Sequence, residues 1–155
     1  ILAVAHLKDQ PSNVLIDGVF ELRYLENRGS AFGMMQNKLI ILIPVTVVVT
    51  LFILYLFFKK LPATRHFFWL NAVAVLFFAG AIGNFIDRVR QGYVVDFFYF
   101  SLINFPIFNV ADIYVTAAAF LLIFLCLFYY KEEDFEQIFP SGSSRKHSSE
   151  KKGNE

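Results

Sequence analysis

Gly80-Ala81-Ile82-Gly83-Asn84-Phe85-Ile86-Asp87-Arg88, followed shortly by Tyr93-Val94-Val95-Asp96, closes a long uncharged apolar run and ends among ionisable groups. A further carboxylate, Asp112, opens the next apolar run in Phe108-Asn109-Val110-Ala111-Asp112. An acid at the centre of a membrane helix costs about 2.5–3.5 kcal/mol on insertion scales, so such groups are seldom incidental. Two of them flanking one short connection predict a shared site.

The surrounding composition predicts an integral membrane α-helical protein. Hydrophobic residues make up 57% of the 155 and charged residues only 17%, with twenty Phe, whereas a soluble domain is about a quarter charged. Leu39 to Phe58 and Phe67 to Ile86 are uncharged runs long enough to cross a bilayer core of about 30 Å. Pro44 falls in the first turns, where a missing donor is tolerated. Ala79, Gly80 and Gly83 would let a neighbouring backbone approach. A third span covers about 110–130, with Trp69 and Tyr129-Tyr130 expected at interfaces.

Upstream, Val14 to Phe32 alternates in patches around the turn signal Asp17-Gly18 and predicts short antiparallel strands, with Asn27 to Gly33 as a turn or loop. The organisation expected is therefore a β-rich segment over 1–38 and a helical membrane domain over 39–130. That domain carries an aromatic interfacial connection over 87–108. A tail over 131–155 follows, disordered beyond residue 140. Lys59, Lys60 and Arg65 form the densest basic cluster in a short loop, which predicts that this loop is cytoplasmic. The sheet and the 87–108 connection then lie outside and the tail inside. Three spans with the start outside predict a four-helix architecture whose first helix is missing from this chain.

A net charge of +1 gives no basic surface for nucleic acid. The single Cys126 reads as a small apolar residue, and His6, His66 and His147 are scattered, so neither a metal nor a cofactor is expected. Asn84, Asp87 and Arg88 are spaced to share a helix face, as are Asn109 and Asp112. Asp87, beside Arg88 and Arg90, reads as an ion-paired structural acid. Asp96 and Asp112 have no basic residue within three positions. If they meet, both cannot ionise easily, and a pair sharing one proton can activate water against an amide. Asp112 could equally be a helix cap. A proton- or cation-relay transporter and a non-catalytic scaffold also stand as readings, though acids at one end of the spans and the lack of two related halves weigh against a transporter.

The motifs resemble those of the bacterial lipoprotein signal peptidases (signal peptidase type II). Asn27-Arg28-Gly29-Ser30-Ala31-Phe32-Gly33, the Gly80 to Arg88 stretch, Gly92 to Phe97 and Phe105 to Asp112 are similar, in order, to four motifs of that family. The resemblance implies a membrane-embedded aspartic endopeptidase of the bacterial plasma membrane, multi-pass, with its active site at the extracytoplasmic face. It implies removal of the signal peptide from diacylglyceryl-modified prolipoproteins by a cut before the lipidated lipobox cysteine. Asp96 and Asp112 are then the catalytic pair, and Asn27, Gly29, Gly80, Asn84, Asp87, Arg88, Asn109 and Ala111 match supporting or substrate-binding positions. The partners implied are the lipidated precursor and membrane lipids, for a monomeric enzyme. The family's aspartate–glutamine–x–threonine–lysine motif is not transferred to Asp9-Gln10, which Pro11-Ser12-Asn13 follows.

Overall fold

The computed structural model describes residues 2–29 and 38–140. The two uncharged runs and the segment after Asn109 fold as α2 (Leu39–Lys59), α3 (Phe68–Gln91) and α4 (Val110–Phe128). Each is long and apolar enough to cross a membrane. Their outward residues stay apolar, with Ile40 85% and Phe128 76% exposed. That is the surface of a helix meant for hydrocarbon, since a water-facing helix would be polar on that side.

The uncharged run ends at Ile86, and the helix that carries it continues, as the shared face of Asn84, Asp87 and Arg88 requires, through Val89 and Arg90 to Gln91. These residues are compatible with helix, and Arg88 and Arg90 in the last turn complement the negative end of the helix dipole. The stop is Gly92, at φ +80 in the left-handed region, whose amide returns to the Arg88 carbonyl at 3.0 Å. That turn sends the chain directly into a strand.

A small antiparallel sheet sits at this end. β1 (Asn13–Ile16) and β2 (Phe20–Asn27) form the hairpin around Asp17-Gly18, and β3 (Val94–Tyr99) pairs with β2 in the order β1-β2-β3. The third strand comes from the connection expected to lie as an interfacial segment on the helix ends. Its Val94-Val95 and Phe97-Phe98-Tyr99 are β-branched and aromatic residues suited to a pleated, half-covered surface. The pairing is Leu25 with Asp96 and Asn27 with Val94, with an irregularity between Leu22 and Leu25. A short helix, α1 (Leu2–Leu7), precedes β1 in the segment expected to be β-rich.

The main apolar core lies at the other end of α3 and α4, built from Phe67, Leu70, Val73, Ala118, Leu125, Tyr130 and Ile138. Tyr130 is packed inward against the protein. Its ring stacks on Phe67, 5.4 Å between centroids, and its hydroxyl donates to the His66 carbonyl at 3.1 Å. A last helix, α5 (Glu132–Ile138), folds back here and is tied by His66 Nε2 to Asp134 Oδ1 at 2.8 Å. The expected disorder after residue 140 lies outside the described residues, as does most of the Asn27–Gly33 loop.

Candidate active site

The site is fixed first by how closely α3 and α4 approach. A Cβ placed on Gly80 would stand 2.6 Å from the Ala111 carbonyl oxygen and 2.6 Å from Val115 Cγ2, and one on Gly83 would stand 3.2 Å from Ala111 Cβ. The glycine surface of α3 therefore accepts the backbone of the first turn of α4. This brings Asn84, one turn further along α3, against Asp112.

α4 begins at Asn109, whose extended backbone and side chain form its N-cap. Asn109 Oδ1 accepts the amides of Ala111 at 2.7 Å and Asp112 at 3.2 Å, while Asp112 Oδ2 accepts the amide of Asn109 at 3.1 Å. The reciprocal pair is a capping box with Asp in the third position. Asp112 therefore does act in a helix cap, but with one oxygen only. Its Oδ1 accepts Asn84 Nδ2 at 2.9 Å.

The same asparagine reaches the other acid. Asn109 Nδ2 donates to Asp96 Oδ1 at 2.7 Å and to Asn84 Oδ1 at 3.1 Å. Asp96 Oδ2 accepts Asn27 Nδ2 at 2.8 Å, and Asn27 Oδ1 accepts the Gly29 amide at 2.9 Å. The two carboxylates are thus joined through an unbroken series, Asp96–Asn109–Asn84–Asp112. Asp96 is 1% exposed and Asn109 5%. Both oxygens of each acid already have a donor, which fixes the carboxylates in orientation.

Burial pushes the Asp96 carboxyl up to about 6. The hydrogen bonds from Asn109 and Asn27 oppose that rise, and the charge of Asp112 adds to it. No basic residue is near either acid in sequence, yet the fold supplies one. Arg88 interacts electrostatically with Asp112, Asp96 and Asp87. Its Nη2 donates to the Gly29 carbonyl at 2.7 Å and its Nη1 to the Asn84 carbonyl at 3.3 Å. One guanidinium thereby ties the end of β2 to α3 above the pair.

Asp87 departs from its expected role. Among the described residues its side chain makes no close ion pair and no hydrogen bond. Its carboxylate acts on the neighbouring Arg88 through charge, without a direct contact between the two side chains. Asp87 instead lines an open cleft of about 1180 Å³ with α1, Arg90, Gln91 and residues of the sheet. Asn27, Gly29, Gly80, Asn84, Arg88, Asn109 and Ala111 all take part in holding Asp96 and Asp112 together.

A supporting cluster was not anticipated. Glu26 is paired with Arg28 at 3.1 Å and Lys8 at 3.4 Å, and the Tyr24 hydroxyl donates to Glu26 at 3.3 Å. The Arg28 guanidinium lies 5.3 Å over the Tyr93 ring. Exposed pairs of this kind contribute up to about 1 kcal/mol each, but together they anchor the end of β2 that carries Asn27. The signal available in the sequence was the period of two in Tyr24, Glu26 and Arg28.

Three helices apolar and long enough to cross a membrane, with two acids bridged by side-chain amides at one end, define the class as a helical membrane protein with a polar site at the end of its spans. The family description Signal peptidase (SPase) II matches residues 1–128. The lipoprotein signal peptidase of Caldanaerobacter subterraneus subsp. tengcongensis is 44% identical over 128 residues, covering 82% of this chain and 84% of that protein. That of Clostridioides difficile is 40% identical over 129 residues, covering 83% and 82%. A bacterial membrane enzyme solved by the in meso method at 2.3 Å superposes with a TM-score of 0.75 at 31% identity, over 84% of this chain and 82% of its own. A second, solved at 1.9 Å, gives 0.70 at 33% identity, over 83% of each chain. The chain belongs to the signal peptidase II family.

Proposed function

We propose that this protein removes the signal peptide from diacylglyceryl-modified prolipoproteins, as an aspartic endopeptidase that cuts before the lipidated cysteine with Asp96 and Asp112. Family membership carries the peptidase activity, and the series Asp96–Asn109–Asn84–Asp112 is the observation that supports the catalytic assignment. Burial raises the Asp96 carboxyl, which favours it over Asp112 as the holder of a shared proton, and Asp112 acts as base. Asp112 takes a proton from water as its oxygen attacks the scissile carbonyl carbon. Asp96 gives its proton to the carbonyl oxygen. Collapse of the tetrahedral intermediate breaks the C–N bond: Asp112 gives its proton to the leaving amine of the cysteine, and Asp96 takes back a hydroxyl proton as the new carboxyl group forms, so both acids return to their starting states. Water is consumed and an acid and an amine are released.

Arg88 balances the charge of the pair. Asn27, Asn84 and Asn109 keep both carboxylates aimed, so that little reorganisation is needed as charge moves. The acyl chains on the substrate supply binding energy away from the cut and bring the amide to the height of the acids.

The placement of the sheet and site on the extracytoplasmic face of the plasma membrane belongs to the same proposal, as do the four-helix architecture, the monomeric state and the lipid contacts. The basic loop of Lys59, Lys60 and Arg65 supports this orientation. The relay reading has no observation in its favour: the acids gather at one end of the spans. The test is cleavage of one precursor with and without its diacylglyceryl group, by the protein in bilayers, followed by mass spectrometry. Cleavage of the lipidated form alone, before the cysteine, is expected. Equal cleavage of both forms would overturn the role given to the lipid.

A further inference from the structure

Beyond the irregularity between Leu22 and Leu25, the β2–β3 ladder continues as Leu25 with Asp96, Glu26 with Val95 and Asn27 with Val94. An irregularity of this kind interrupts the ladder hydrogen bonds, so the last stretch of β2 is not simply carried along by the first. That stretch nevertheless holds the site, because Asn27 donates to Asp96 Oδ2 at 2.8 Å. Successive residues of a strand point to opposite faces. Glu26 therefore stands on the back of the sheet, while Asn27 and Asp96 stand on the front.

The back face is gathered on Glu26. Its Oε1 accepts the Tyr24 hydroxyl at 3.3 Å, from inside the irregularity, and Lys8 Nζ at 3.4 Å, from the chain just after α1. Its Oε2 accepts Arg28 Nη2 at 3.1 Å, from the residue after the ladder ends. The Arg28 guanidinium lies 5.3 Å over the ring of Tyr93, the neighbour of Val94. One carboxylate thus spans this stretch of β2 and ties it, through Arg28, to the start of β3. Exposed pairs of this kind add little stability, so their effect is sought in position.

We propose that Glu26 is a positioning residue for the reaction, a clamp behind the sheet that keeps the Asn27 amide on Asp96. The inference rests on the peptidase reading, in which Asp96 gives its proton to the scissile carbonyl. Burial raises the Asp96 carboxyl; the hydrogen bonds from Asn109 and Asn27 and the charge of Arg88 hold that rise back, and the charge of Asp112 adds to it. Of these partners only Asn27 belongs to β2. When the clamp is loosened Asn27 withdraws, and Asp96 holds its proton more tightly and aims it less well.

The test separates reach from charge. Glu26→Asp keeps the charge but is one methylene too short to span Tyr24, Lys8 and Arg28 together. Glu26→Gln loses the charge but keeps the length, with an oxygen for Arg28 and an amide that can donate to the Tyr24 oxygen. Glu21→Asp is the control: the same change on β2, at a residue that makes no hydrogen bond or ion pair among the described residues. Each variant is read by infrared titration of the protonated Asp96 band, by kcat and KM on the lipidated precursor, and by thermal unfolding. In Glu26→Asp the band is expected to vanish about half a pH unit higher than in wild type, with kcat down about fivefold and KM within about twofold. Glu26→Gln and Glu21→Asp should keep the wild-type band position and kcat. Unfolding alone would lower the band's amplitude without moving it, and an unmoved band in Glu26→Asp overturns the clamp. A downward move in Glu26→Gln overturns it too, since that is the sign of the Glu26 charge acting directly on Asp96. Failure of the underlying reading looks different: Asp96→Asn would still cleave, whatever the band does in the Glu26 variants.

Discussion

At the scale of single residues, Asn109 carries two duties that can be separated. Its Oδ1 caps α4 and its Nδ2 orients Asp96 and Asn84. Asn109→Asp keeps a good cap but replaces the donor with an acceptor facing Asp96. It is expected to lose cleavage by about a hundredfold or more and to be destabilised by the two facing carboxylates, a destabilisation that eases as pH falls and one of them takes up a proton. Asn109→Ala loses both duties and should also be destabilised, by about 2 kcal/mol, from the lost cap and the unpaired Asp96 oxygen. Thermal unfolding and cleavage assays on the two variants distinguish these outcomes. Asp96 makes a second prediction. With its carboxyl raised from 3.8 to about 6, the folded protein holds this proton more tightly than the unfolded chain does. The associated stabilisation is complete below pH 3.8 and is lost as pH rises through about 6. Infrared titration should show a protonated carboxyl band vanishing near pH 6, absent in Asp96→Asn and shifted to lower pH in Asp112→Asn, which removes a charge that raises it. A band unmoved by Asp112→Asn would mean the acids are not coupled.

Between elements, the crossing of α3 and α4 decides the site. Gly80→Ala would drive a Cβ into a backbone carbonyl, which cannot rotate aside as a flexible side chain would. The helices must part, and Asn84 would withdraw from Asp112. Cleavage should fall about tenfold or more with a lower unfolding temperature, whereas wild-type activity in Gly80→Ala would show that the contact is dispensable. The importance of small residues here was legible in the sequence, because Gly80, Gly83 and Asn84 share a helical run. The three apolar runs and the hairpin around Asp17-Gly18 were legible for the same reason, since a period or its absence spans several residues. The third strand was not. Apart from Asp96, Val94 to Tyr99 is apolar or aromatic on both sides, and such a run pairs or lies on an interface according to partners far away in sequence. The double use of Asn109 was equally hidden, because a cap is local while its contact with Asp96 depends on the whole β3–α4 connection.

Across the whole molecule, stability and chemistry occupy opposite ends. Phe67, Leu70, Ala118, Leu125 and Tyr130 join α3 and α4 at one end, with α5 tied beneath them. The polar series and the sheet occupy the other. The bridge between Asp96 and Asp112 follows from this division, because a firmly packed far end lets the near end hold a buried acid and its amide partners. The charge neighbour of those acids, Arg88, was not legible as such, since sequence distance hid a spatial contact. The measurement that bears most directly on the account is cleavage of a diacylglyceryl-modified precursor in the presence of chelator, by wild type, Asp96→Asn and Asp112→Asn, with folding checked by thermal unfolding. Chelator-resistant cleavage by wild type, lost in both folded variants, is the result the account predicts. Cleavage at the wild-type rate by either variant would contradict it and remove that aspartate from the mechanism.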